Sequence, residues 1–292
     1  MIAVDWGTSS LRAARMDGAG RVLQERSAPR GILTVPPGGF PAVLQDTCGD
    51  WLRMSGELCL VSGMAGSRQG WREAPYCACP AGFAEVAAAL TWIEPGRIAL
   101  VPGLSCEDGG VPDVIRGEEV QVFGAMDLLR QGDGMFVLPG THSKWVRVEG
   151  GKVSSFATFM SGEVFALLRQ HSILARTLPA EEPPLEEEAF LRGVRHAQEA
   201  RSLLRSAFSV RTLSLFDRMP AESLASYLSG LVIGEELRAH GEVEQSVVLI
   251  GNEALTARYE LALRVLGTPA RRLGAEATWR GLWALARTLE PA

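Results

Sequence analysis

A glycine, threonine, any-residue, serine quartet stands twice in this chain, as Gly7-Thr8-Ser9-Ser10 and as Gly140-Thr141-His142-Ser143, each time between short apolar runs. Before the first quartet, Met1 to Asp5 is mostly apolar, and Leu11 to Asp17 has the spacing to pair back on it as a hairpin. Asp17-Gly18-Ala19-Gly20 then supplies a turn into a third extended run, Arg21 to Ala28. The second quartet repeats the plan: Met135 to Pro139 enters, Trp145 to Glu149 leaves, Gly150-Gly151 turns, and Lys152 to Met160 returns. Duplication of a whole supersecondary unit restricts the fold to one built from two related halves. Each turn offers backbone amides and hydroxyls, the donors that cradle phosphate oxygens, so the pair reads as a two-lobed phosphate clamp.

Length supports two halves. The 292 residues, 47% of them hydrophobic, suit one large or two modest domains. A net charge of -5 leaves no basic surface to neutralise a nucleic-acid backbone. The five cysteines, Cys48, Cys59, Cys77, Cys79 and Cys106, are odd in number and follow no zinc or disulfide spacing, so reduced thiols are expected. The chain opens on a strand without the charged, apolar and small-residue order of a secretory leader, and Arg238 and Arg264 interrupt its best apolar helices. A soluble cytoplasmic protein with no membrane partner is expected. A homodimer is compatible with the sequence, which does not set the oligomeric state.

Between the two hairpins, strands and helices alternate. Helical spacing is expected over residues 40–54, 82–90 and 117–130, and strands over 57–62 and 97–101. Gln131-Gly132-Asp133-Gly134 is the clearest breaker before the second hairpin and divides the chain into lobes 1–131 and 132–292. The second lobe turns helical, over residues 162–178, 186–208 and 221–240, around an acidic, proline-containing loop at 179–188. A strand over 246–250, a helix over 253–266 and an amphipathic helix over 275–289 complete it, with Trp279, Leu282, Trp283 and Ala286 on a core-facing side.

Asp5 stands two residues before Gly7, where its carboxylate can hold a hydrated magnesium ion beside phosphates gripped by Gly7, Thr8, Ser9 and Ser10. Taken alone, the turn is equally a hairpin whose serines cap amides. Aligning the quartets sets Leu138 opposite Asp5, as expected if one metal serves both halves.

The run Ala3 to Ser10, its hairpin and the second glycine-threonine turn together resemble the actin-like ATPase and sugar kinase superfamily. Ser62-Gly63-Met64-Ala65-Gly66-Ser67-Arg68-Gln69-Gly70-Trp71, Arg116-Gly117-Glu118-Glu119, Leu138 to Trp145 and Ser229 to Gly234 narrow the likeness to the 2-dehydro-3-deoxygalactonokinase family. The resemblance implies an α/β, two-lobed actin-like ATPase (ribonuclease H-like) fold with mixed sheets and an interlobe cleft that takes ATP and Mg2+. Related sugar kinases place a glycine and an aspartate where this chain has Gly117-Glu118, so Glu118 is the implied catalytic base and Glu119 its alternative. A first-turn glutamate favoured by the helix dipole is the bland reading of Glu118.

Ser67, Arg68, Gln69 and Trp71 fall on the implied acceptor loop. Arg68 would match a sugar acid's carboxylate, Gln69 its hydroxyls, and Trp71 its deoxygenated carbon; the bland alternative is a surface ion pair and a core tryptophan. Gly140, Thr141, His142 and Ser143 would meet the phosphates, while Lys144 is left between charge neutralisation and solvent. Gly251 and Asn252 would meet the nucleotide, although relatives carry two glycines there, and Gly230 and Gly234 give either nucleotide room or close helix packing. The implied reaction is phosphorylation of 2-dehydro-3-deoxygalactonate by ATP. Its rivals are a kinase for another sugar or sugar acid and a non-catalytic actin-like nucleotide binder.

Overall fold

The computed structural model describes residues 1–55, 57–200, 202–241 and 246–289. Two compact units emerge: the first comprises residues 1–136, 146–157 and 273–292, the second 137–145 and 158–272.

The first unit opens with β1 (Ile2–Trp6), β2 (Leu11–Met16) and β3 (Val22–Ala28), followed by α1 (Phe40–Ser55) and β4 (Cys59–Gly63). Then come β5 (Cys77–Ala78), α2 (Phe83–Ala88), β6 (Thr91–Glu94), β7 (Ile98–Leu100), β8 (Leu104–Asp108), β9 (Val111–Ile115) and α3 (Glu118–Leu129). The principal sheet runs β3-β2-β1-β4-β7-β6. Its centre is decided by composition: Ile2, Ala3, Val4 and Trp6 of β1 and every residue of β4 are buried, as befits strands covered on both faces. β1 is antiparallel to β2 and parallel to β4, which is parallel to β7. β3 has the exposed, charge-bearing pattern of an edge. Trp6, Leu44, Trp51 and Leu100 are among the buried residues packed around this sheet. A smaller sheet, β5-β8-β9, delivers the chain to the start of α3.

Onward the chain forms β10 (Gly134–Leu138), β11 (Ser143–Glu149), β12 (Lys152–Phe159), α4 (Ser161–His171), α5 (Glu187–Glu199), α6 (Leu203–Ser206), α7 (Ser209–Leu215) and α8 (Ala221–His240). It finishes with β13 (Val247–Ile250), α9 (Glu253–Val265), β14 (Ala270–Leu273) and α10 (Glu276–Arg287). The second sheet runs β12-β11-β10-β13-β14. Both sheets therefore place the third strand, second, first, fourth and then a later one in the same order. That duplicated order is the two-lobed ribonuclease H-like plan of actin-like ATPases.

Two expected helices are shorter than their periodicity. The helix over 162–178 stops at His171, because Ser172 is extended and its hydroxyl accepts from the Leu174 amide to start a separate 3-10 turn. The helix over 186–208 ends at Glu199, with Ala200 extended and Ser202 capping α6 in the same manner. In α10, Trp279, Leu282, Trp283 and Ala286 are buried as their spacing requires, and the Trp279 indole donates to Glu25 at 2.9 Å. All five cysteines are free thiols. Among the described residues, no helix is long and apolar enough to cross a membrane.

Candidate active site

In the first unit, the Gly7–Ser10 turn is built from behind. Gly7 donates its amide to the Ser10 carbonyl at 2.9 Å, and the side chains of Thr8, Ser9 and Ser10 are exposed. The amides of Ile32 and Leu33 donate to the carbonyls of Gly7 and Thr8 at 3.1 and 3.3 Å. Gly31 lies so close beneath the turn that a Cβ there would overlap the Thr8 carbonyl oxygen and the Ser9 backbone. The turn is thus held by backbone on one side, leaving its hydroxyls on the other. Asp5, at the end of β1, pairs in register with Arg12 and Ser62. One carboxylate oxygen is ion-paired to Arg12, and the other faces Gly63.

After β4, Gly63 feeds a tight 3-10 turn over Met64–Gly66, and the Trp71 amide donates back to the Ala65 carbonyl at 2.7 Å. This folded loop separates its expected acceptor residues. Ser67 keeps a buried hydroxyl with no hydrogen-bond partner. Arg68 and Gln69 are exposed, and Arg68 is ion-paired to Glu73 at 3.3 Å with 86% of its side chain in solvent. Trp71 stacks on Phe40, with centroids 6.3 Å apart and ring planes 10° apart, as an outlying part of the core.

The start of α3 is brought to this loop by two glycines in contact. Gly117 has φ +104°, and a Cβ on it would come 3.3 Å from the Gly63 α-carbon. With that approach the start of α3, which carries Glu118 and Glu119, adjoins the end of β4, where the Ser62 hydroxyl lies 3.9 Å from the same Cβ position. Each glutamate accepts from a preceding amide: Glu118 from Arg116 at 2.8 Å and Glu119 from Gly117 at 2.6 Å. Their surroundings differ. Glu118 is partly exposed, whereas Glu119 is wholly buried with Oε1 unpartnered. Burial, then the charge of Glu118, push the Glu119 carboxyl up to about 8.

The second unit repeats the turn with different bracing. α4 starts directly against it: a Cβ on Gly162 would overlap the Gly140 carbonyl oxygen, and the Glu163 amide donates to the Thr141 carbonyl at 3.0 Å. His142 and Glu163 are joined at 2.6 Å. Thr141 and His142 are exposed, but Ser143 is fully buried. Its hydroxyl donates to Glu236 on α8 at 2.8 Å. The Trp145 indole and the Tyr259 hydroxyl also donate to Glu236, at 2.7 and 2.6 Å. A buried carboxylate thus joins β11, α8 and α9, and burial followed by that negative neighbour pushes the Tyr259 phenol well up. The Lys144 ammonium is buried too and donates to Thr158 at 2.9 Å.

Gly251, at φ +141°, follows β13 and sits near the Pro139 carbonyl, which lies 3.7 Å from where its Cβ would be. Asn252 caps α9 by accepting from the amides of Ala254 and Leu255 at 3.0 and 3.3 Å. Gly251 therefore adjoins the strand end that leads into the second quartet.

The sequence signature of the family described as 2-keto-3-deoxy-galactonokinase matches residues 5–285. The chain belongs to that family. It is 38% identical over 99% of its length to a Rhizobium meliloti protein provisionally named 2-dehydro-3-deoxygalactonokinase, and covers 97% of that relative. It is 34% identical over 91% of its length to the 2-dehydro-3-deoxygalactonokinase of Escherichia coli, of which it covers 90%. A crystal structure of a Sinorhizobium meliloti protein, provisionally given the same name, superposes with TM-score 0.92 at 37% identity, over 100% of this chain and 99% of that one. Solved structures only 10 to 12% identical, with TM-scores of 0.53 to 0.54, share the fold.

Within this galactonokinase-family chain, three expectations need correction. Gly230 and Gly234 do not line a ligand surface: they are buried where α8 crosses α5, and a Cβ on Gly230 would overlap the Phe190 carbonyl oxygen while one on Gly234 would meet Ala197 at 2.8 Å. The Ser143 hydroxyl is committed to Glu236 inside the unit. Arg68 and Trp71 have structural partners. The residues missed by sequence reasoning include Ser62, whose hydroxyl is buried without a partner, and Arg116, whose Nε and Nη1 are buried without partners. Arg116 opens the Arg116-Gly117-Glu118-Glu119 motif, but its burial has no one-residue signal. Glu236 and Tyr259 gave none, since their meeting with Ser143 spans 93 and 116 positions.

Proposed function

We propose that this galactonokinase-family chain transfers the terminal phosphoryl group of ATP to the C6 hydroxyl of 2-dehydro-3-deoxygalactonate, yielding ADP and the 6-phosphate ester. The supporting observation is the Gly63–Gly117 contact, which sets the acceptor loop and the base candidates beside the end of β1. Glu118 is the base: it is partly exposed, while Glu119 at about 8 holds its proton at neutral pH. As the acceptor oxygen attacks the terminal phosphorus and the bond to ADP breaks, the hydroxyl proton passes to a Glu118 carboxylate oxygen. That transfer comes late, because the transition state is loose and catalysis consists mainly of positioning.

The exposed hydroxyls of Thr8, Ser9, Ser10 and Thr141 bind phosphate oxygens, Gly7 and Gly140 let those oxygens approach the turn backbone, His142 donates to the same groups, and Gly251 with Asn252 meets the nucleoside. Gln69 reads acceptor hydroxyls, and Ser67 binds the acceptor beside it. In this reading, residues 1–131 serve the acceptor and the base, and 132–292 the nucleoside. Asp5 fits a magnesium ion: it is a partly exposed carboxylate at a strand end, and magnesium takes its remaining ligands from phosphates and water. When bound, the ion neutralises phosphate charge.

A coupled assay of ADP release over sugar acids and neutral sugars tests the reading. ADP release should depend on the acid, and equal turnover of neutral sugars would reject this substrate class. Glu118→Gln should bind ATP as the parent does while losing turnover on the order of 100-fold or more. An unaffected rate removes Glu118 as base.

A further inference from the structure

We propose that Arg116, rather than Arg68, holds the carboxylate of the acceptor; the inference rests on the kinase reading above and names the residue that selects an acid. Arg68 is a poor clamp where it stands. Its guanidinium is in solvent and already paired with Glu73, a setting in which another ionic contact gains little.

Arg116 has the opposite setting. Its Nη2 donates to the Ala74 carbonyl at 2.8 Å, and its guanidinium carbon lies 4.3 Å from the centre of the Tyr76 ring. These two contacts fix the plane of the group. Nε and Nη1 remain, shielded from solvent and without acceptors. A guanidinium does not give up its proton, so it cannot escape burial by becoming neutral, and each donor left unmatched is costly. Glu119 is within electrostatic reach of the cation but, held protonated by burial, does not ion-pair with it, so no carboxylate among the described residues closes on Nε and Nη1.

The neighbours suit a carboxylate. Gly66 lies against Nη1, where a Cβ would intrude to 2.9 Å, and Ser67, next in the chain, has another buried donor without a partner. Contact with the acceptor requires the adjoining turn over 67–70 to yield. In a low-dielectric setting the resulting charge-assisted contacts are strong. The acceptor carries its carboxylate at one end of a six-carbon chain and the reacting hydroxyl at the other. Its clamp and its base must then lie within one acceptor length of each other, and Arg116 and Glu118 flank one glycine, with the Arg116 amide donating to the Glu118 carboxylate at 2.8 Å.

The test compares the acid with its neutral primary amide as acceptors for the parent and for Arg116→Met, with melting temperature recorded for both. The parent should favour the acid. Arg116→Met should raise KM for the acid by about 10- to 100-fold while KM for the amide and for ATP stay put, so that discrimination collapses. Should Arg116→Met not fold, Arg116→Lys is read instead and must weaken discrimination. Discrimination retained in the variant that folds, an equal rise in both acceptor KM values, or discrimination lost in Arg68→Ala would each overturn the proposal alone. A parent that phosphorylates neither acceptor overturns the kinase reading and this inference together.

Discussion

Glu118 and Glu119 are adjacent, identical in type and both bonded to a preceding amide, yet burial gives them different chemistry. In the unfolded chain the Glu119 carboxyl titrates near its ordinary 4.5; in the folded chain it titrates at about 8. Between those values the native state keeps a proton that the unfolded state has released, so stability falls as pH rises through the window and levels off above it. The whole effect is on the order of a few kcal/mol. Glu119→Gln keeps an acceptor for the Gly117 amide and cannot ionise. Its melting temperature should be flat with pH where the parent's declines, and should exceed the parent's above about pH 8. Matching pH profiles for the two proteins would refute the buried, protonated state.

Residue types in a motif announce the chemistry a site needs but not which copy is buried. The motif Arg116-Gly117-Glu118-Glu119 was legible as a whole; which glutamate is buried depends on the start of α3 meeting the end of β4 at two glycines. Arg68 shows the converse, a residue in the expected loop that the backbone turns outward.

At the scale of elements, the two hairpins, their turns and most helices follow from spacing, because each is decided by neighbours in sequence. The exceptions have physical causes. Helices over 162–178 and 186–208 continue in apolar periodicity but stop where Ser172 and Ser202 offer their hydroxyls to amides two residues on. The hairpin of β8 and β9 carries acidic and exposed residues, and β14 is only Ala270–Leu273 with two arginines, so neither shows an apolar strand pattern. Gly230 and Gly234 read equally as ligand room or helix packing, and only the placement of α5 against α8 decides for packing. The Glu236 hub lies wholly beyond sequence reach. Removing it by Glu236→Ala leaves the buried Ser143 and Trp145 donors without an acceptor and Tyr259 with the longer 3.3 Å contact to Ser143, for a loss of about 3 kcal/mol or more. Denaturant unfolding checks this, and a loss under about 1 kcal/mol would mean that the hub does not fix the second hairpin.

For the molecule as a whole, the repeated quartet foretold a repeated sheet order, and the same 3-2-1-4 arrangement appears twice. Composition had already disfavoured nucleic-acid binding through the net charge of -5. Substrate identity was never in the spacing; it comes from the family, while the residues argue for phosphoryl transfer to a small anionic acceptor. Proton-coupled phosphorus NMR of a reaction containing ATP and 2-dehydro-3-deoxygalactonate tests this most directly. One phosphomonoester, split by two methylene protons, should accumulate in step with ADP. Release of inorganic phosphate with ADP and no ester would contradict the account, leaving a nucleotide hydrolase where a sugar-acid kinase is claimed.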